Sequence, residues 1–210
     1  MEEIVLGERR GLLVRPAKAR WLYVLAHGAG AGMRHAFMAE IAEALAAVDV
    51  ATLRWEFPYM AAGRPRPDGP AVAHAAEPLD DLRGLAFLGF PLHPPDRPGT
   101  ERAEHLARTA PAPLLFVQGT RDELATPALL RPVVARLGRR ARLHVVEHAD
   151  HGFEVLVRSG RAKAEVMAEV AGAVAAWMAR VAGPAARRGS GSGSALSSRK
   201  IRAGKKTGRG

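Results

Sequence analysis

The sequence predicts an α/β domain built on a mostly parallel sheet, and two observations carry that prediction. Short apolar runs of strand length alternate with longer stretches whose apolar residues recur at helical spacing. Several of the strand-like runs also end in loops rich in glycine or in polar, titratable residues, where open α/β sheets collect their chemistry. Of 210 positions 48% are apolar and 25% charged, which is apolar enough to bury a core and excludes a disordered chain.

Residues 3–6 (EIVL) and 11–15 (GLLVR) read as a short antiparallel pair around Gly7–Arg10. Trp21–Ala26 (WLYVLA) is a continuous apolar run followed by glycines, the pattern of a strand buried on both faces. Phe37, Met38, Ile41 and Leu45 then follow helical spacing. Val50–Phe57 is the next strand, stopped by Pro58; Leu85–Phe90 and Pro113–Gln118 are two more. Thr126-Pro127 starts a helix, with Thr as N-cap and Pro in the first turn. Leu129, Leu130, Val133, Val134 and Leu137 form its apolar stripe, and Gly138 ends it. Arg142–Glu147 is the last strand. Ser159 is expected to cap a long helix with Val166, Val170, Val174, Trp177, Met178 and Val181 on its buried side, stopped by Gly183-Pro184.

Cysteine is absent, which excludes disulfides, cysteine-held metals and thiol nucleophiles. No run approaches the ~20 apolar residues of a membrane span, and the opening MEEIVLGERR lacks the apolar core of a secretory signal. The expectation is a cytoplasmic protein without membrane contact. Net charge is +10, but eight Lys/Arg and no acid lie in residues 184–210, which leaves +2 for residues 1–183. The predicted organisation is a domain over 1–183 and a basic, Gly/Ser-rich flexible tail over 184–210. That tail could bind polyanions weakly, and its stretch 189–194 (GSGSGS) resembles a flexible linker.

Three strand ends hold candidate chemistry. The first is His27-Gly28-Ala29-Gly30-Ala31-Gly32, where glycines let backbone N–H groups approach a ligand ahead of a helix. It reads as an oxyanion loop or as a dinucleotide phosphate loop with Glu56 as the ribose acid. The second reading fails the Gly-x-Gly-x-x-Gly pattern at Met33. The second strand end is Gly119-Thr120-Arg121-Asp122, and the third is His148-Ala149-Asp150-His151. A metal at His148 and His151 would need a third ligand that does not cluster there. An acid after one strand and a histidine after the next match the order of an acid–His relay. His74, His93 and His105 have no partners by spacing.

The blocks LAHGAGAGM, RWEFPYM, LGFPLHPP, EHL at Glu104–Leu106, FVQGTRDELAT and EHADHGFEV resemble the dienelactone-hydrolase-like branch of the α/β-hydrolase superfamily. They are most similar to small bacterial proteins related to the testis-expressed and NSL-complex hydrolase-like proteins. The resemblance spans about residues 10–182. It implies an α/β-hydrolase-like mostly parallel sheet flanked by helices, a small ester or lactone substrate and no cofactor. It also implies an oxyanion loop at His27, Gly28, Ala29 and Gly30, a triad acid at Asp122 and a triad base at His151.

One block of the resemblance is missing. Such relatives carry a strand, a Gly-x-Ser-x-Gly-like elbow and a helix between the RWEFPYM-like and LGFPLHPP-like segments. Here residues 61–84 supply a Pro/Gly-rich loop and at most a short helix near Ala71–Glu77. No Ser precedes Ser159, and Thr52, Thr100, Thr109, Thr120 and Thr126 all lack the flanking glycines of an elbow. The sequence therefore predicts a sheet shortened by the central nucleophile strand and an incomplete triad, inactive or weakly hydrolytic. The alternative is a non-enzymatic module that binds a small ligand or partner on the same fold. Leu85–Phe90 can pair directly with Trp21–Ala26 across the gap; failing that, central strand edges stay unpaired and the chain should be prone to aggregate. Either way a shorter sheet and lowered stability are expected.

Overall fold

A computed structural model describes residues 1–7, 9–28, 31–64, 82–107 and 112–183. Ala29, Gly30, His74, Thr109, the short helix expected near Ala71–Glu77 and the basic tail lie outside the described residues.

Seven strands and four α-helices make up the described fold. Strands β1 (Glu2–Leu6) and β2 (Arg9–Val14) form the expected antiparallel pair. β2 continues antiparallel onto β4 (Val50–Trp55), and β4 pairs parallel with β3 (Trp21–Ala26), Trp21 opposite Val50. A second set, β5 (Leu85–Leu88), β6 (Leu114–Gly119) and β7 (Ala141–Val146), is wholly parallel. The helices are α1 (Ala36–Ala47), α2 (Pro58–Ala61), α3 (Pro127–Arg136) and α4 (Lys163–Val181). One core joins β3, β4 and α1 to β6, β7 and α4, through Leu25, Ile41, Leu45, Val50, Val117, Val146, Val170 and Val174 among others. A second core lies on the other side of β6, where Leu114 and Phe116 meet Leu130 and Val133 of α3.

The direct pairing of Leu85–Phe90 with Trp21–Ala26 does not form. Among the described residues the strands divide into two sheets, in the orders β1-β2-β4-β3 and β5-β6-β7. Tyr23 shows why. Its hydroxyl donates to Ala86 O at 2.7 Å, so a whole phenol bridges the two strands. Ladder partners stand only about 4.8 Å apart, which leaves no room for an intervening ring. The backbone phase agrees: Leu85 N–H and Gly89 N–H both donate toward β6, to Pro113 O and Val117 O. The intervening residues Ala86 and Leu88 therefore turn their backbone groups toward β3, and Tyr23 satisfies one of them. Burial of its phenol end pushes the Tyr23 hydroxyl pKa up.

Two helix caps also differ from expectation. α4 begins at Lys163, four residues beyond Ser159, and Glu165 reaches back to accept from Ala162 N–H at 3.0 Å. Ser159 instead closes a short 3-10 turn over Val157–Ser159, its hydroxyl donating to Leu156 O at 2.6 Å. Thr126 stands at the N-cap of α3 as expected, but its side chain makes no capping bond; Pro127 supplies the fixed first turn.

Candidate functional site

β6 is buried at all six positions. It is apolar until its penultimate residue, Gln118, and the chain turns immediately after Gly119. That turn carries Asp122, which is completely buried. Asp122 Oδ1 accepts from Leu124 N–H at 2.8 Å, while Oδ2 accepts from Gln118 Nε2 and from His151 Nδ1, the latter at 2.8 Å. The structure thus brings together the acid and the base that the sequence proposed.

His151 sits on the loop after β7, and that loop is shaped by local bonds. Asp150 Oδ1 accepts from Gly152 N–H and Glu154 N–H, both at 2.9 Å. The loop is pinned to the turn after β6 by Arg121 N–H on Ala149 O at 2.8 Å and by His148 N–H on Thr120 Oγ1 at 2.8 Å. Gly119 is required at this junction, since a Cβ there would overlap the Ala149 carbonyl. Phe153, at φ +61°, anchors the far end of the loop in the core. The hydrogen bond that Asp122 accepts from His151 raises the His151 pKa above the ordinary histidine value, and the Asp122 and Asp150 charges add to it against a desolvation penalty. The side chain is 44% exposed, and Nε2 has no hydrogen-bond partner among the described residues.

Two further residues that the sequence did not single out belong to this site. Gln118 is completely buried, and its Oε1 accepts from Phe90 N–H at 3.0 Å while its amide nitrogen serves Asp122. Gly89, at φ +70°, lies against the imidazole, where a Cβ would stand 3.2 Å from His151 Cε1 and Nδ1. The available signal for Gln118 was a single amide ending an otherwise apolar strand, four residues before the acid.

The glycine loop after β3 is organised around His27, which is 4% exposed. Phe57 N–H donates to its Nε2 at 3.1 Å, so Nδ1 carries the ring proton and donates to Gly28 O at 2.9 Å. Phe57 and Tyr59 enclose the ring edge-on. Gly28 O also accepts from Ala31 N–H at 3.2 Å. Glu56, the candidate ribose acid, instead accepts from Met33 N–H at 3.2 Å, and a Cβ on Gly32 would stand 2.7 Å from its Oε1. The carboxylate is thus tied into the entry to α1. His93 is buried, with Nδ1 on Pro94 O at 2.9 Å. Among the described residues no three of His, Asp and Glu converge as a metal site would require, and no helix is long and apolar enough to cross a membrane.

These features define a class before they define a family: an α/β protein with an acid–histidine pair after adjacent parallel strands and a glycine loop after β3. The alpha/beta hydrolase domain family matches the chain over residues 19–70 and 69–179, and the protein belongs to that family. Solved structures agree at the level of fold. An alpha-beta serine hydrolase homologue from Coxiella burnetii is 17% identical, with 85% of this chain and 97% of that one covered at a TM-score of 0.58. A dienelactone hydrolase from Anabaena variabilis is 19% identical, with 84% and 94% covered and a TM-score of 0.56. A putative alpha/beta hydrolase from Agrobacterium tumefaciens is 16% identical, with 84% and 96% covered and a TM-score of 0.52.

Proposed function

We propose that this chain is an ester- or lactone-directed member of the α/β-hydrolase family that keeps the acid, the base and the oxyanion loop but no nucleophile. One observation carries the reading. Asp122 and His151 are bonded at 2.8 Å, in a chain whose first 158 residues contain no serine and no cysteine. The family match supports it, since its two segments meet at residues 69–70, where the resemblance places the strand and elbow. Ser159 is spent on its own turn, through Leu156 O.

Without an attacking side chain no acyl-enzyme forms, and the remaining route is hydrolysis by water. His151 Nε2 takes a proton from water, and the hydroxide adds to an ester carbonyl held at the Gly28–Gly32 loop. The tetrahedral oxyanion then collapses, and the departing alkoxide recovers the proton from Nε2. In a serine hydrolase stripped of a triad member, about 10³–10⁴-fold acceleration over water survives, so turnover here is expected to be weak and at most of that order. Asp122 and His151 serve as positioning acid and base, and the backbone N–H groups near Gly28 stabilise the oxyanion.

The test is intact-mass analysis after treatment with a fluorophosphonate probe, together with p-nitrophenyl acetate hydrolysis. The expected result is no adduct, with a slow hydrolysis that His151→Ala reduces to background. A stoichiometric adduct on any body residue overturns the proposal. A second reading, a small-ligand or partner-binding module, is favoured by Leu22 and Val24 of β3, which remain 51% and 47% exposed. Equal ester turnover by the unaltered chain and His151→Ala would select it.

A further inference from the structure

Gln118 is buried, amide-bearing and bonded at both ends, and its position in the relay is not explained by packing alone. Phe90 N–H, at the end of β5, is a donor that needs an acceptor, and Gln118 Oε1 provides it at 3.0 Å. That bond decides which way the amide faces. With its oxygen committed to Phe90, only the NH₂ group can meet Asp122 Oδ2. Asp122 therefore accepts N–H groups from Gln118 on Oδ2 and Leu124 on Oδ1, which leaves its third contact, His151 Nδ1 at 2.8 Å, facing a carboxylate that acts only as an acceptor. His151 Nδ1 is then the donor of its pair, and Nε2 keeps its lone pair.

We propose that Gln118 is a positioning residue: by its bonds to Phe90 and Asp122 it fixes the carboxylate rotamer and, through it, the Nδ1–H form of His151. Gly89 completes the device, because its lack of a side chain lets the end of β5 lie flat against the imidazole. The end of β5 is thereby tied to the relay at two points. This matters in a sheet whose β5 edge toward β3 carries no ladder among the described residues. The inference rests on reading Asp122 and His151 as an acid–base pair, and its test separates the two.

The charged groups facing His151 are Asp122 from the loop after β6 and Asp150 from its own loop, while β5 presents the uncharged Gly89. The measurement is nitrogen-15 NMR of the histidine rings in the full 210-residue chain, which reads tautomer and titration midpoint without any catalysis. In the unaltered chain the neutral ring is expected in the Nδ1–H form, with one Gln118 amide proton protected from exchange. Gln118→Leu and the longer, unbranched Gln118→Met are expected to shift the tautomer ratio toward Nε2–H, by up to about tenfold, because the carboxylate loses one of the two N–H bonds that hold its rotamer toward His151. The midpoint should fall toward the ordinary value as Asp122 loses its fixed rotamer. A role confined to packing would lower the melting temperature and leave both readings untouched; folded variants with that outcome overturn the proposal. Rapid exchange of both Gln118 amide protons in the unaltered chain overturns it as well, even if neither variant folds. Asp122→Asn is the control. If it leaves the His151 midpoint unchanged, the acid–base reading itself fails; if it lowers the midpoint while the Gln118 variants do not, only the role of Gln118 is lost.

Discussion

The two sheets of this protein are built to different standards of completeness. β6 is covered on both faces, by α4 on one side and α3 on the other, and Phe87, Phe90 and Phe116 meet edge-to-face or tilted at 5.1–5.5 Å. The polar side chains buried at its end, Gln118 and Asp122, are fully engaged. β3, equally apolar in sequence, has one face under α1 and α4 and the other half open at Leu22 and Val24. Its neighbour β4 buries Thr52 Oγ1 and Arg54 Nε without partners among the described residues, and burial lowers the Arg54 pKa. The acid–histidine pair survives because every group that shapes it lies within the β5–β7 half. The glycine loop after β3 hangs from the other half, across a junction bridged by α1 against α4 and by the Tyr23 hydroxyl.

The largest expected effect breaks the stronger half. Phe116→Ala should cost about 3–5 kcal/mol in chemical denaturation, because the site is completely buried and the rings of Phe87 and Phe90 are left facing a cavity. A loss below 1 kcal/mol would show that the β5–β7 half is not the more rigid one. Next comes the bridge. Tyr23→Phe leaves Ala86 O without its donor and should cost about 1–3 kcal/mol by the same measurement. Hydrogen exchange sharpens this: Ala86 and Leu88 amides, which face the gap, should exchange faster than Phe87, which faces β6. The smallest effect belongs to the open face, where Leu22→Ser and Val24→Ser should each change stability by about 0.5 kcal/mol or less while reducing aggregation on heating.

A pH experiment compares the halves through the relay. His151 has its folded pKa raised, so the stability it contributes is fully present below the unfolded value of about 6.5 and is lost as pH rises through the folded value. Ester turnover should move the opposite way, since proton abstraction needs the neutral ring. Its rise with pH should have a midpoint above that of an ordinary histidine, and Asp122→Asn should bring the midpoint down. A profile flat from pH 5 to 9 would separate turnover from His151.

Element types were legible along the chain because period and length are local properties. WLYVLA and LLFVQ had to be strands, and Met38, Ile41 and Leu45 had to share one helix face. Asp122 and His151 were legible for a related reason: parallel sheets place their chemistry after strand ends, so order along the chain stands in for proximity. Ser159 was misjudged because a serine closing a 3-10 turn looks, in sequence, like one opening the helix four residues on. Gln118 was missed because its worth lies in Phe90 and Asp122, 28 residues before it and four after.

What the sequence determined by itself was the α/β class, the two strand ends that bring Asp122 and His151 together, and the absence of serine and cysteine from the first 158 residues. Whether β3 and β5 would join was decided only in three dimensions. Apolar content and period are the same for a strand that finds a neighbour and for one that does not. In the folded chain the Tyr23 phenol lies across the gap to Ala86 O, a spacing wider than a backbone ladder spans.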